Sequence, residues 1–453
     1  MLSQISEKKM HYIRWVLAIL WLILIASLFY DPISQYLTTP SHLLAPSQRQ
    51  VCVQIQGVCF QEKPYPIGTR VFWNMVVPSA VMIILIFGHE FWRRICPLYF
   101  FSQIPRSLGL QPRLNIEQNQ WLIRNHLYLQ FAFLFLGLVC RILFINSNRL
   151  FLGLFLILTI LSAIMMVYLY GGRSWCHYVC PFGPVQTVLT GPRGLLASEA
   201  HKAPSGSITQ SMCRTIDKTN NQEISACIGC KSPCKDIDAE GSYWQELKKP
   251  GRKLFQYGYV GMVAGFFIYQ VLFAGNFDYY FSGVWHHQGN QLSSIFLPGF
   301  YIFNHAIAIP KFIATPLSLA VFVLMSYWIG TKSEKAYLIN IKDQNPLIDQ
   351  QQIIHRVFSL CTFISVNMFF IYGGRGEILR LPLALQFIFQ GFVVLVSTLW
   401  LAQIWGRTQE KYQKETLANF EDEPKANLII AKPKVDERTQ SRWTIERTER
   451  RHR

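Results

Sequence analysis

Apolar runs and polar connections alternate along the chain. Eight runs stand out, at about Ile13–Tyr30, Val71–Phe91, Leu127–Ile145, Leu150–Tyr170, Leu254–Ala274, Ile313–Ile329, Ile353–Tyr372 and Leu383–Trp405. Each approaches the roughly 20 apolar residues that a helix needs to cross a hydrocarbon core. Lipid offers the backbone no hydrogen-bonding partner, so such a run spans as a helix. The third and fourth runs form a hairpin across Asn146-Ser147-Asn148-Arg149. The first run is longer than the apolar part of a signal peptide and no small-residue cleavage site follows it, so it is expected to be retained. The pattern predicts an all-α polytopic membrane protein with about eight transmembrane helices. Residues 1–170 make an N-terminal membrane domain of four helices, and residues 254–405 a second domain of four. Between them lies a polar insertion, 171–253, and after them a basic tail, 406–453, expected to be mostly disordered.

Composition agrees. Of 453 residues, 51% are hydrophobic and 15% are charged, where a soluble chain carries about 25% charge. The formal net charge of +17 could suggest nucleic acid, but its distribution argues against that partner. Arg93, Arg94, Arg106, Arg113 and Arg124 crowd the 91–126 connection against Glu117 alone. Lys332, Lys335, Lys342 and Arg356 mark the 331–356 connection, and the tail ends in Arg447, Arg450, Arg451 and Arg453. Connection 275–312 has Lys311 as its single cation. Cationic residues therefore alternate with the runs, as the positive-inside rule expects. Eight spans then place both termini and the 171–253 insertion on the cytoplasmic side of an inner or plasma membrane. The remaining charge suits contact with anionic membrane lipid.

On that topology Asp31–Arg70 is extracytoplasmic. Within it, Val-Cys-Val-Gln-Ile-Gln-Gly-Val-Cys-Phe alternates like a short hairpin, and Cys52 and Cys59 can pair as a disulfide in an oxidising compartment. Two free thiols are the alternative. Segment Asn276–Pro310, aromatic and nearly uncharged, is expected to lie on or dip into the outer leaflet.

Six of the eleven cysteines fall in the insertion. Trp175-Cys176-His177-Tyr178-Val179-Cys180-Pro181 reproduces the C-x3-C-P ending of a bacterial ferredoxin run, and Cys227-x2-Cys230-x3-Cys234 adds three thiolates. Cys213 is near enough in sequence to be a fourth. The simplest set for one [4Fe–4S] cluster is Cys213, Cys227, Cys230 and Cys234. A second cluster could use Cys176, Cys180 and Cys96 with one further ligand, for which His177 is a candidate; ligands could also be exchanged between the two halves. A small insertion of this kind would draw folding energy from its metal and is expected to be a ferredoxin-like iron–sulfur loop domain. Zinc is the alternative occupant, since C-x2-C pairs bind it too. Cys140 and Cys361 sit alone inside runs and read as packing residues.

One internal echo links the second and fourth runs. Phe91-Trp92-Arg93-Arg94-Ile95-Cys96-Pro97 resembles Trp175-Cys176-His177-Tyr178-Val179-Cys180-Pro181, with Trp92 at the place of Cys176.

Gly172-Arg173-Ser174-Trp175-Cys176, continuing to Cys180-Pro181-Phe182-Gly183-Pro184, is similar to the (W)C-x3-C-P-x-G signature of membrane-bound polyferredoxins. That family includes the nitrous-oxide-reductase maturation flavoprotein, the quinol-oxidising membrane subunit of periplasmic nitrate reduction and the copper-reducing accessory protein of oxidase assembly. The resemblance covers the chain from about the second run to Trp244. It implies cytoplasmic [4Fe–4S] clusters and electrons passed to or from the membrane. The family usually carries two copies of C-x3-C-P and a tandem ferredoxin with eight cysteines. Here the first copy keeps only Cys96, and the loop holds Cys213 with one C-x2-C-x3-C.

Histidines offer other ligands. His89, His126 and His355 lie at run ends and His305 in the outer aromatic segment; facing pairs could hold haem b, but interfacial hydrogen bonding is the favoured reading of single histidines. His286-His287 could meet an external metal or a quinone. No P-loop or dinucleotide fingerprint occurs. The expectation is a membrane iron–sulfur electron relay, an oxidoreductase component more than a self-contained enzyme, with ferredoxin, a flavoprotein or quinone as partner. A membrane redox sensor and a transporter with a structural metal loop are the rival classes.

Overall fold

The computed structural model describes residues 7–34, 53–60, 66–110, 112–114, 116–146, 148–197, 214–216, 223–225, 238–286, 292–344 and 349–421. Among them, eight helices are long and apolar enough to cross a membrane: Lys9–Phe29, Ile67–Ser102, Gln120–Ile145, Arg149–Tyr170, Pro250–Ala274, Lys311–Asn340, Gln350–Tyr372 and Leu383–Trp405. We call them spans one to eight.

Local signals fix several ends. Asn119 accepts from the Leu122 N–H at 3.0 Å and opens span three. Asn148 accepts from the Leu150 and Phe151 N–H groups at 3.1 and 3.3 Å and opens span four. Each satisfies donors that a helix start leaves without partners. Span five is the axis of the bundle, 72% buried along its apolar window against 22% for span one. Gly261 and Gly265 bring span six close: a Cβ on Gly261 would stand 2.2 Å from the Phe322 carbonyl oxygen. Small residues permit such close backbone approach where the surrounding lipid offers no hydrophobic drive.

One end of the bundle is capped by two antiparallel hairpins. In the first, β1 (Val53–Ile55) pairs with β2 (Val58–Phe60). In the other, β5 (Pro298–Ile302) pairs with β6 (His305–Pro310); a further pair, β3 (Arg214–Ile216) and β4 (Glu223–Ser225), lies in the insertion. Both capping turns place two residues at positive φ, Gln56 with Gly57 and Phe303 with Asn304, as two-residue hairpin turns of the primed type require. Gln56 Nε2 donates to the Phe273 and Pro298 carbonyls at 3.1 and 2.8 Å, which ties one hairpin to span five and to the other hairpin. The described parts of segment Asn276–Pro310, 276–286 and 292–310, thus form a lid on this end. Cys59 is disulfide-bonded; Cys52, its expected partner, lies outside the described residues.

The opposite end carries the cysteine motifs, and here expectation and structure part. The start of the insertion, residues 171–197, is not a separate ferredoxin-like loop: it is largely helical and built into the bundle. Helix Gly183–Thr190 is buried along its whole length, because its apolar residues insert between spans. A Cβ on Gly183 would meet Gln130 of span three at 2.8 Å.

The start of the tail, Gln409–Glu421, is helical. Arg407 explains this. Its buried guanidinium bonds Glu240 Oε1 at 2.6 Å and Glu415 Oε2 at 2.7 Å, and a buried charge is stable only when so paired.

Candidate metal centre

The two echoing motifs share a backbone shape. Each begins at a glycine in a conformation that only glycine adopts cheaply: Gly88 at φ 75°, ψ 177° and Gly171 at φ 70°, ψ −176°. Each ends on a cysteine that leaves the helical region, Cys96 at φ −60°, ψ 119° and Cys180 at φ −51°, ψ 119°. A proline follows both, and its ring drives the preceding residue out of the helical region. The second copy is one residue longer, and the π-helical turn Trp175–Val179 accommodates that extra residue. At Gly88 the helix ladder opens, and the loop after Thr190 fills the gap: Leu195 N–H bonds the Leu85 carbonyl at 3.0 Å and Leu196 N–H bonds that of Ile86 at 2.5 Å.

Matching positions of the copies meet. Arg93 Nη1 donates to His177 Nε2 at 3.2 Å, and the Trp92 and Phe182 rings lie 5.6 Å apart. Gln130 Nε2 holds the Cys176 carbonyl at 3.2 Å. Cys180 and Trp175 are buried together with Ala163 and Val167 of span four, and Cys176 packs against them.

Cys96, Cys176 and Cys180 lie within electrostatic reach of one another. Burial raises the Cys180 thiol well above its ordinary pKa; Cys176 and then Cys96 raise it further, while the Phe182 N–H and Arg93 oppose them.

Among the described residues, no three His, Cys, Asp or Glu side chains converge on one ion. A [4Fe–4S] cube spreads its thiolates over separate irons and suits wider spacing. Two buried indole N–H groups, Trp92 Nε1 and Trp175 Nε1, find no hydrogen-bond acceptor among the described residues. Cluster sulfide would supply acceptors at this place, so the residues present fit the group.

Residues 153–197 match the family model of a 4Fe-4S binding domain. The matched stretch contains Cys176 and Cys180 and lies within the helical region, from span four through Gly183–Thr190. It supports an iron–sulfur protein with a [4Fe–4S] cluster. No curated protein and no solved structure matches the chain.

The remaining sequence candidates divide. Cys213, Cys227, Cys230 and Cys234 lie outside the described residues, as does His287. Cys140 packs beside the Leu28–Phe72 core and Cys361 beside Tyr243, both as free thiols. His305 is exposed on β6. His126 donates through Nδ1 to the Ile123 carbonyl at 2.8 Å. His355 accepts from Tyr243 Oη at 2.9 Å and donates to the Ile404 carbonyl at 3.0 Å, which leaves no ring nitrogen for haem iron. His177, considered as a fourth cluster ligand, uses its Nε2 lone pair on Arg93.

A groove of about 860 Å³ runs between the spans from Tyr30 and Ile67 near the hairpin end to Trp92, Cys96, Cys180 and Phe182. Its walls are almost entirely apolar.

Proposed function

We propose that this protein is a membrane-bound electron relay, with a [4Fe–4S] cluster at the cysteine end of the bundle and that end facing the cytoplasm. The observation that carries the reading is the contact between the two motif copies, Arg93 on His177 at 3.2 Å and Trp92 against Phe182 at 5.6 Å, which puts Cys96, Cys176 and Cys180 within electrostatic reach of one another. The 4Fe-4S match over residues 153–197 supports it. When bound, the cluster supplies one-electron chemistry at a potential set by burial, net charge and hydrogen bonds to sulfur.

The chain's own residues would set those conditions. Cys96, Cys176 and Cys180 hold the group. Trp92 and Trp175 offer N–H donors to its sulfur, and the buried Arg93 offsets thiolate charge. Phe182 and Val185 keep water from the groove side. The loop cysteines Cys213, Cys227, Cys230 and Cys234 are the natural ligands of a second cluster nearer the cytosol. A soluble ferredoxin or flavoprotein would dock there, and a lipid-soluble carrier such as quinone would exchange electrons from the membrane.

A sensor is the second reading. It is favoured by the buried Glu240–Arg407–Glu415 link, which joins the end of the insertion to the tail helix.

Anaerobic purification with iron and sulfide counting, followed by EPR on dithionite reduction, tests the cluster. Cys180→Ser is expected to lose one cluster's iron and sulfide. An unchanged count and spectrum in that variant would overturn the assignment. Reoxidation by quinone or ferredoxin at turnover rates separates relay from sensor.

A further inference from the structure

The two motif copies share a backbone shape but differ in their cysteines. Gly88 matches Gly171, Cys96 matches Cys180 in backbone angles, and Arg93 touches its counterpart His177. Cys176, however, is matched by Trp92. A fully paired site would bring two thiols from each copy, four in all. This one brings two and one.

Where the fourth thiol would stand, an indole stands instead, in ring contact with Phe182 and with its buried N–H lacking an acceptor among the described residues. The nearest imidazole cannot substitute, because the His177 Nε2 lone pair accepts from Arg93. Trp92, Cys96 and Cys180 also line the end of the apolar groove.

We propose, resting on the iron–sulfur reading above, that the protein supplies three thiolates to this cluster, Cys96, Cys176 and Cys180. Trp92 takes the place of the fourth, so that one iron is exchangeable from the groove. The ligand class follows from the walls. It is a lipophilic molecule whose polar end is a single oxygen or sulfur donor, held by its apolar body along the groove. Such a cluster binds its partner directly, where a cluster with four protein thiolates only passes electrons at a distance.

The test uses the full chain, purified without oxygen in detergent. Signals belonging to this site are those lost in Cys96→Ser. Ferricyanide oxidation is expected to remove about one iron in four from this cluster, giving the EPR signature of a three-iron centre that ferrous iron restores. Trp92→Cys, which completes the second pair, is expected to hold all its iron under the same treatment. Decanethiol is expected to shift the EPR of the wild-type cluster at concentrations where the hydrophilic mercaptoethanesulfonate does not.

Should Trp92→Cys fail to fold, the decanethiol comparison on the wild-type chain still decides. A wild-type cluster with full iron and sulfide that resists oxidation and ignores decanethiol overturns the exchangeable iron and leaves the iron–sulfur reading standing. Iron loss that appears only after Ser replaces one of Cys213, Cys227, Cys230 or Cys234 overturns it equally, because that cysteine is then the fourth ligand. A chain with no iron or sulfide at all removes the reading beneath it.

Discussion

Arg93 and His177 stand at matching positions in two copies of one motif, and the guanidinium donates to the imidazole at 3.2 Å. Arg93 is also buried, 2% exposed, and acts electrostatically on both Cys96 and Cys180. A buried cation beside a cluster favours its more negative, reduced form. Arg93→Gln removes the charge and keeps a donor of similar length. The expected result is a midpoint potential lower by tens of millivolts, on the order of the 59 mV that a tenfold change represents for one electron. Redox titration monitored by EPR reads it. A potential unchanged or raised would show that Arg93 does not tune this site.

Gly88 carries a different load. Its φ of 75° with ψ of 177° is costly for any other residue, and an added Cβ would lie 3.3 Å from the Gly194 nitrogen. Gly88→Ala should destabilise by about 1–3 kcal/mol and move Cys96 relative to its partner thiols. Lower thermal stability together with reduced iron content is expected. Gly137→Ala, in span three with nothing within 4 Å of its Cβ position, should change neither.

How far the sequence foretold this arrangement depends on the range of the interaction. The eight spans were legible because each is a local run of apolar residues, and the structure returns all eight. Cys176 and Cys180 were legible from three-residue spacing and a following proline. Cys96 was a weaker candidate, because its role requires the end of span two to meet the end of span four. The echo of Phe91–Pro97 in Trp175–Pro181 held that information; what it could not give was contact between Arg93 and His177. Gly88 and Gly171 were not singled out, since nothing in composition marks a positive φ. Gln130 left a faint sign, a lone amide within an apolar run. The idea of a separate loop domain failed for a physical reason: Val185, Val188 and Leu189 are apolar residues that the bundle buries.

Glu240 and Arg407 lie 167 residues apart in sequence yet bond at 2.6 and 3.1 Å with both side chains almost wholly buried. Removing one partner of such a pair leaves an uncompensated charge, at a cost of about 3–5 kcal/mol. Glu415 still holds the guanidinium in Glu240→Gln, so the loss should fall at the low end. The tail helix should then detach more readily. Limited proteolysis is expected to cut within residues 408–421 several times faster in Glu240→Gln than in wild type. Equal rates would mean that the helix is held by other contacts.

Cys59 offers a test of which end faces which compartment. It is disulfide-bonded on the hairpin end, opposite the cysteine motifs. Stable disulfides belong to oxidising compartments, so the hairpins should face outward and the cluster inward. Cys59→Ser frees its partner thiol. A membrane-impermeant maleimide added to intact cells should label that variant and leave the wild-type chain unlabelled. Reduction with an impermeant phosphine should make the wild type reactive as well. The freed hairpin should also loosen the lid, with a loss of about 2–4 kcal/mol at most. Labelling of Cys59→Ser that requires broken membranes would invert the topology and place the electron donor on the opposite side.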